Sequence, residues 1–318
     1  MMVPFSSPFF SGKSAEEAKK KKVYRKKRKI FFQSFLLKQE GRRKVMNSLL
    51  SIFDKKCAQK YIFDFAGNEE AQEMCEESHI VKRAIIMAAG VGNRMYPLTL
   101  KTPKPLIRVN GVRMIDTVVD GLRSNGITEI YVVAGHLKEQ FHEWAKEQPG
   151  VKVIDNPYYE TCNNISSLYV AREYLGDCII LDGDQIIYNK EILDPHFTLS
   201  GYNAVWCEGE TKEWLMQVSG GVVQSCSRTG GKHGWQLYSI SRWSAEDGAR
   251  LRRHLEQEFE GGNTQIYWDD VAMFCHFDEY RLGIREMSRE DIIEIDGIDE
   301  LAQADPGYKE YIAGSAGE

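Results

Sequence analysis

Residues 82–106 read KRAIIMAAGVGNRMYPLTLKTPKPL, an apolar strand that runs directly into a turn containing two glycines. Because glycine lacks a β-carbon, the backbone at Gly90 and Gly92 can adopt positive φ and bring its N–H groups close to an anion. Arg94 and Lys104 add positive charge beside the turn. The pattern predicts a loop that holds the phosphates of a nucleoside triphosphate.

Two better-known glycine loops do not match this stretch. A Walker A loop needs four residues between its glycines and then Gly-Lys-Ser/Thr, which the chain lacks. A dinucleotide fingerprint needs a third glycine or alanine where the chain has Met95, and an acid about twenty residues further on. Asp116 and Asp120 lie near that distance but within an apparent helix, so the sequence favours a different nucleotide site.

Composition predicts a globular protein of one large or two ordinary domains, since 42% of the 318 residues are hydrophobic. Seven cysteines without a C-x-x-C pair argue against a disulfide framework and predict a reducing, cytoplasmic location. No stretch is long and apolar enough to predict a membrane span. The N-terminus does not resemble a signal peptide, because Pro4 and Pro8 interrupt its short apolar run.

Charge divides the chain into two unlike parts. Residues 1–80 carry 17 Lys and Arg against 10 Asp and Glu, whereas residues 81–318 carry 24 against 36. The basic run at residues 13–44 is interpreted as a solvated extension or as a weak contact for an anionic surface, lipid or nucleic acid. An acidic domain that handles a triphosphate must neutralise it locally, and divalent metal is the usual means.

From residue 82 onward, apolar runs alternate with amphipathic segments, which predicts strands and crossover helices in a mostly parallel sheet. The predicted strands are RAIIMA, EIYVVAG, VKVIDN, DCIILDGD and AVWCEG, and the predicted helices or helical turns are MIDTVVDGLRSNG, LKEQFHEWAKEQ, NISSLYVAREYLG and NKEILDPHF. After residue 210 the strands shorten, and a helix is predicted from Ser244 to Phe259. This later part is expected to form the acceptor side of a cleft.

The string GVGNRMYPLTLKTPKPL resembles the G-x-G-[ST]-R-[ML]-x-P-L-T-x-x-x-P-K-P-L signature of nucleotidyltransferases, and among them it is similar to the bacterial CTP:phosphocholine cytidylyltransferases. It departs from the signature at Asn93, whose amide can still donate to a phosphate. The resemblance extends to about Asp305. It implies an α/β, Rossmann-like three-layer nucleotidyltransferase fold over residues 82–310. Residues 1–81, which the resemblance does not cover, are interpreted as a basic, partly helical or disordered extension of unknown role, and residues 311–318 as a flexible tail.

The resemblance also implies the nucleotide contacts. Lys104 lies between two prolines that restrict its backbone, and with Arg94 it is the predicted catalytic pair on the reacting phosphates. The alternative is an ordinary surface lysine in a turn. The predicted nucleotide-binding residues are Ala89, Gly90, Val91, Gly92, Asn93, Arg94, Lys104 and Asp182.

Two separated acids are the predicted metal ligands. Asp182-Gly183-Asp184 closes an apolar strand at the sheet edge that carries the glycine loop, and Mg²⁺ prefers carboxylate and phosphate oxygens. Read alone, this is a strand-end turn, and Asp296 is an N-cap for the helix that follows it. The resemblance implies that Asp184 and Asp296 bind Mg²⁺ and that Asp182 orients Asp184 or contacts the ribose.

Tryptophans beside acids suggest a site for a cationic acceptor. Trp206, Trp214 and Tyr267-Trp268 stand next to Glu208, Glu213 and Asp269, and aromatic faces attract quaternary ammonium groups. The alternative is an ordinary core. The predicted acceptor-binding residues are Asn164, Glu213, Trp214, Trp268 and Asp269. The run Asn163–Tyr169 either positions ligand or caps the next helix. Three histidines, His136, His142 and His254, fall on apparent helix starts or surfaces and receive no role, because they lack ligand spacing.

The resemblance implies that CTP and phosphocholine react to give CDP-choline and pyrophosphate. Phosphoethanolamine, 2-aminoethylphosphonate or a sugar 1-phosphate are alternative acceptors, and UTP an alternative nucleotide. A third reading is a non-catalytic nucleotide-binding module with a basic tether. The oligomeric state is left open.

Overall fold

The computed structural model describes residues 78–315. Its strands are β1 His79–Ile80, β2 Arg83–Ala88, β3 Arg108–Val109, β4 Val112–Arg113, β5 Glu129–Ala134, β6 Val151–Asp155, β7 Cys178–Asp182, β8 Gln185–Ile187, β9 His196–Phe197, β10 Gly201–Cys207, β11 Leu215–Ser219, β12 Val222–Ser227, β13 Gly234–Trp243, β14 Gly283–Glu286 and β15 Ile292–Glu294. Its α-helices are α1 Met114–Ser124, α2 Lys138–Ala145, α3 Ile165–Val170, α4 Ala245–Glu260, α5 Trp268–Asp270, α6 Ile298–Ala304 and α7 Lys309–Ser315. A π-helical turn, Val271–Cys275, follows α5.

Nine strands form one sheet in the order β10-β14-β12-β11-β13-β7-β2-β5-β6, and β10 also pairs with β13. Strands β6, β5, β2 and β7 are parallel neighbours. Strand β13 runs antiparallel to β7 and starts the second half, in which five strands close on themselves. The predicted parallel sheet is therefore present around the glycine loop, while the sheet as a whole is mixed.

The central strand β2 is buried on both faces, which explains its unbroken apolar sequence. Because side chains alternate along a strand, Ile86 packs on one face against α1 and α2, and Ile85 packs on the other against α3 and α4. Helices thus cover the sheet on both sides. This is the three-layer α/β architecture that the alternating pattern predicts.

Most predicted elements are present, with differences at their ends. Gly126, at φ 79°, follows α1, and the Ser244 hydroxyl accepts the Asp247 N–H at the start of α4. The segment from Asn189, predicted as a helix or helical turn, is a 3₁₀ turn, and its last residues form β9, which pairs with β1. Helix α7 includes residues that the sequence analysis placed in the tail.

The basic run at residues 13–44, and the rest of residues 1–77, lie outside the described residues. Within residues 78–315, every helix is too short or too polar to cross a bilayer.

Candidate active site

The glycine loop turns back at Gly92. This residue has φ 71°, and its carbonyl accepts a hydrogen bond from the Thr99 hydroxyl at 3.1 Å. A β-carbon at this position would lie 2.9 Å from Thr99 Cγ2 and 3.3 Å from Lys104 Cβ. Gly90 differs from the prediction, because its φ is not positive and no atom lies within 4 Å of a β-carbon built there. The need for glycine is therefore concentrated at Gly92.

We expect Gly92→Ala to lower kcat/KM for the nucleotide at least tenfold, because the new methyl group meets Thr99 and Lys104 and an alanine is strained at positive φ. Initial rates at varied nucleotide concentration measure this loss. Gly209→Ala is the matched control and should change kcat/KM less than threefold, because Gly209 is exposed, lies outside the glycine loop and has no atom within 4 Å of a β-carbon built there. Equal effects of the two substitutions would contradict this account of the loop.

The loop forms one wall of a cavity of about 440 Å³ at the carboxyl ends of the parallel strands. In such sheets ligands bind beyond these strand ends. The residues that line the cavity are Met87, Ala88, Gly90, Gly92, Asn93, Arg94, Lys104, Pro105, Asp184 and Asp296. We call this cavity the acidic pocket. It brings together the predicted catalytic pair and the predicted metal ligands.

An ion-pair network occupies the floor of the acidic pocket. Lys104 Nζ lies 2.6 Å from Asp184 Oδ2 and 3.1 Å from Asp296 Oδ1, and Arg94 Nη2 lies 2.9 Å from the same Asp296 oxygen. The side chain of Lys104 is 9% exposed, whereas that of Arg94 is 70% exposed. Lys104 is thus held rigidly between two carboxylates, and Arg94 extends toward solvent where a polyphosphate can reach it.

Strand pairing explains how two acids so far apart in sequence meet. Strand β8 begins directly after Asp184 and pairs antiparallel with β15, with Gln185 opposite Glu294. Asp296 follows the end of β15, so the pairing places it beside Asp184. Asp296 is not the predicted N-cap: α6 begins after Gly297, and the Glu300 side chain accepts the backbone N–H groups of Asp296 and Gly297. The Asp296 carboxylate is therefore directed to Lys104 and Arg94.

The network fixes the charge states of its members. Burial lowers the pKa of Lys104, but the charges and hydrogen bonds of Asp184 and Asp296 outweigh this, and the pKa lies above its ordinary value. Burial raises the pKa of Asp296, whereas Lys104 and Arg94 lower it by more, so its pKa lies below the ordinary value. Both groups are charged at neutral pH.

Asp182 and Gly183 connect this network to the sheet. Burial, and then the charges of Asp184, Glu294 and Asp269, raise the pKa of Asp182 well above its ordinary value. Gly183 donates its N–H to the Met87 carbonyl at 3.0 Å and packs against the edge of the acidic pocket. Asp182 is half-buried behind the pocket, which it does not line. Ala89 is buried in the core and Val91 is half-buried.

The two tryptophans that are predicted to bind the acceptor, Trp214 and Trp268, have different surroundings. Trp214 is half-buried and meets Tyr267 and Phe274 edge-on, with ring centroids 6.0 Å and 5.2 Å away. Trp268 is 1% exposed and packs in the core beside Tyr202 and Trp243, so its ring is not available to a ligand.

The other residues considered for the acceptor site are Asn164, Glu213 and Trp206. Asn164 accepts the Trp268 backbone N–H at 2.8 Å through its side-chain oxygen, so it fixes the start of α5. Glu213 is exposed. The ring of Trp206 contacts Trp235.

The two acids after Trp268 have different surroundings. Asp270 accepts from Arg228 Nε at 2.7 Å and from the Tyr267 N–H at 2.8 Å, so its charge is compensated. Asp269 is buried, and the buried hydroxyl of Tyr202 faces its carboxyl as the neighbouring donor. Burial raises the pKa of Asp269 to about 7, whereas the Tyr202 hydroxyl lowers it. Apart from each other, Asp269 Oδ1 and the Tyr202 hydroxyl have no hydrogen-bond partner among the described residues.

Sequence reasoning missed His136 and Tyr202. His136 Nε2 lies 2.7 Å from the Thr99 carbonyl, and the His136 N–H donates to the Ala89 carbonyl at 3.1 Å, so this residue braces the glycine loop. Its position two residues after the end of strand β5 was an available signal, because parallel strands end at one edge. Tyr202 gave no such signal, since it lies inside a strand that reads as ordinary core.

Comparison with known proteins is consistent with this geometry. The MobA-like NTP transferase domain family matches residues 84–252. The chain is 40% identical over 230 residues to 2-aminoethylphosphonate cytidylyltransferase of Lancefieldella rimae, covering 71% of this chain and 92% of that protein. It is 31% identical to choline-phosphate cytidylyltransferase of Streptococcus pneumoniae, covering 68% of this chain and 93% of that protein.

A solved structure of CTP:phosphocholine cytidylyltransferase from Streptococcus pneumoniae superposes with a TM-score of 0.66 at 30% identity, covering 71% of this chain and 99% of that one. The predicted nucleotidyltransferase fold is thereby confirmed. The protein belongs to the MobA-like NTP transferase family and is a nucleotidyltransferase of the cytidylyltransferase kind.

Proposed function

We propose that the protein transfers CMP from CTP to a small phosphonate or phosphate that carries a cationic amino group, with 2-aminoethylphosphonate as the first candidate acceptor and phosphocholine as the second. The observation that carries this proposal is the acidic pocket, where the glycine loop, Lys104, Arg94 and two carboxylates converge. Similarity over 92% of a 2-aminoethylphosphonate cytidylyltransferase supports the order of the acceptors.

The donor set of the acidic pocket fits a divalent cation. Asp184 and Asp296 each place a carboxylate oxygen within 3.1 Å of one ammonium, so both oxygens surround a single position for positive charge. Hard oxygen ligands of this kind suit Mg²⁺. We propose that these two acids hold Mg²⁺, which would neutralise triphosphate charge when bound. The remaining work falls to the side chains of the chain itself.

The transfer itself needs positioning more than acid–base chemistry. An acceptor phosphonate oxygen attacks the α-phosphate of CTP in line, the bond from that phosphorus to the bridging oxygen breaks, and pyrophosphate leaves. The attacking oxygen is already anionic, so no general base is required. Lys104, Arg94 and the loop N–H groups stabilise charge that builds on the phosphate oxygens. The loop also holds the triphosphate in the orientation that the in-line attack of the acceptor oxygen requires.

We assign the amino group of the acceptor to Asp269. A primary ammonium carries three N–H donors, and the buried Asp269 carboxyl, which the Tyr202 hydroxyl faces, keeps acceptor capacity for more than one donor. A hydrogen bond between charged groups contributes about 1.5–3 kcal/mol. A quaternary ammonium offers no N–H group. Since Arg228 already compensates Asp270, Asp269 is the acid left for the ligand.

Phosphocholine remains the second candidate because of the rings. Trp214 meets Tyr267 and Phe274 edge-on, and Tyr267 lies two residues before Asp269 in the chain. Arg228 lies over the Phe274 ring, so the faces of Trp214 and Tyr267 are the ones that could attract a trimethylammonium group. Two relatives at 29–31% identity are choline-phosphate cytidylyltransferases.

Pyrophosphate release with a panel of substrates tests the proposal. With CTP, we expect kcat/KM for 2-aminoethylphosphonate to exceed that for phosphocholine at least tenfold, and to fall stepwise as methyl groups are added to its nitrogen. UTP should replace CTP at least tenfold less efficiently. A preference for phosphocholine would reverse the order of the candidates, and a preference for a sugar 1-phosphate would refute both.

Replacement of Asp269 tests the assignment of the amino group. Asp269→Asn should lower kcat/KM for 2-aminoethylphosphonate at least tenfold while KM for CTP changes little, because Asp269 does not line the acidic pocket. Asp278→Asn, an exposed acid nearby, is the matched control. If both variants keep wild-type kcat/KM, Asp269 does not bind the acceptor.

A further inference from the structure

A second group of potential metal ligands lies between helix α4 and the turn after the π-helical segment. His254 lies on α4, whereas His276 and Glu279 lie on the turn, and one ligand atom from each falls within 4.8 Å of the others. The two imidazole rings stack with centroids 3.8 Å apart and an interplanar angle of 8°. No part of the proposed nucleotide or acceptor chemistry uses these residues.

Each imidazole has one nitrogen engaged elsewhere and one that faces Glu279. His254 Nδ1 lies 2.7 Å from the Tyr280 hydroxyl, and His254 Nε2 lies 3.3 Å from Glu279 Oε2. His276 Nε2 lies 2.9 Å from Glu258 Oε1, and His276 Nδ1 lies 3.6 Å from Glu279 Oε1. Metal-binding histidines characteristically give their second N–H to a carboxylate or another oxygen, which fixes the ring and its tautomer.

The spacing suits a small tetrahedral ion. Zn²⁺ binds histidine nitrogen and carboxylate oxygen at about 2.0–2.2 Å, so neighbouring ligand atoms around it lie roughly 3.3–3.6 Å apart. The two nitrogen-to-carboxylate separations of 3.3 Å and 3.6 Å fall in this range. The lone pair of an imidazole nitrogen lies in the plane of its ring. Because the rings of His254 and His276 are nearly parallel, they must tilt before both nitrogens can bind one ion. Glu279, which is 56% exposed, lies on the solvent side and gives an ion a path of entry.

We propose that His254, His276 and Glu279 form a binding site for a Zn²⁺-class transition-metal ion, with a water molecule as the fourth ligand and Glu258 and Tyr280 orienting the histidines. An ion here would tie α4 to the segment that carries Asp269 and Phe274. The site would therefore stabilise the acceptor side of the protein from behind, without contact with the acidic pocket.

Binding of Co²⁺ and Zn²⁺ to the purified full chain, with excess Mg²⁺ present to occupy the acidic pocket, tests this site. We expect one equivalent of Co²⁺ to give the visible absorption of tetrahedral coordination, and Zn²⁺ to displace it. A hundredfold excess of Zn²⁺ over Kd should raise Tm by roughly 5 °C or more.

Glu279→Gln is the main variant, because its exposed side chain can change without disturbing the fold. We expect this variant and His276→Gln to weaken Co²⁺ binding at least tenfold, and the exposed control Glu286→Gln to bind as the wild type does. Absence of Co²⁺ binding by the wild type, or a change of less than tenfold in Glu279→Gln, would overturn the proposal.

Discussion

Replacement of Asp184 by asparagine should lower kcat by about a hundredfold or more, comparable to the loss of one preorganised charge-stabilising group in an active site. Asp184 contributes one of the two carboxylate oxygens that converge in the acidic pocket. Because an amide is a poorer ligand for a hard cation, the Mg²⁺ concentration that gives half-maximal rate should also rise. Pyrophosphate release at varied Mg²⁺ measures both effects.

The variant has a matched control in the same charged region. Asp299 is an exposed acid in the first turn of α6, three residues after Asp296, and Asp299→Asn should leave kcat and the Mg²⁺ dependence within about twofold of wild type. Thermal unfolding shows whether Asp184→Asn remains folded. A folded Asp184→Asn protein with kcat within fivefold of wild type would rule out Asp184 as a metal ligand.

The nucleotide side of the site was predictable because its information is local. Gly92, Arg94 and Lys104 lie within thirteen residues of one another. Glycine permits positive φ, proline restricts the backbone, and a basic side chain binds phosphate oxygens, so the sequence of the turn predicts its role. Asp184 follows a strand, and the carboxyl ends of parallel strands share one edge. Asp296 was different, since only the antiparallel pairing of β8 with β15 brings it to Asp184. Resemblance to a family supplied that residue.

The acceptor side was less predictable because its geometry depends on non-local packing. Trp268 and Asp269 are adjacent, and sequence could not tell that the ring enters the core while the buried carboxyl faces the Tyr202 hydroxyl. Tyr202 meets Asp269 only because β10 closes the second half of the sheet. His254, predicted at a helix start or on a surface, lies in the middle of α4 and is buried against His276.

Replacement of Lys104 by methionine should lower kcat by about a hundredfold or more, with a different Mg²⁺ dependence from that of Asp184→Asn. Methionine keeps most of the apolar length of the side chain while removing its charge. Without the ammonium between Asp184 and Asp296, Asp184 loses the cation that competes for its oxygen, and Asp296 keeps its ion pair with the exposed Arg94. The Mg²⁺ concentration for half-maximal rate should therefore stay the same or fall, whereas Asp184→Asn raises it.

Lys101→Met is the control for charge, because Lys101 is an exposed lysine on the same turn; its kcat should stay within twofold of wild type. The raised pKa of Lys104 keeps its ammonium charged above the ordinary lysine range, so the wild-type rate between pH 7 and 9 should show no titration of this group.

Lys104→Arg separates charge from shape. The Lys104 side chain is buried next to two buried prolines, and a planar guanidinium cannot replace a compact ammonium held 2.6 Å from Asp184. We expect this variant to recover less than a tenth of the wild-type kcat. Full recovery would show that any positive charge near the phosphates suffices, and that the fixed position of Lys104 between the two acids contributes nothing to the rate.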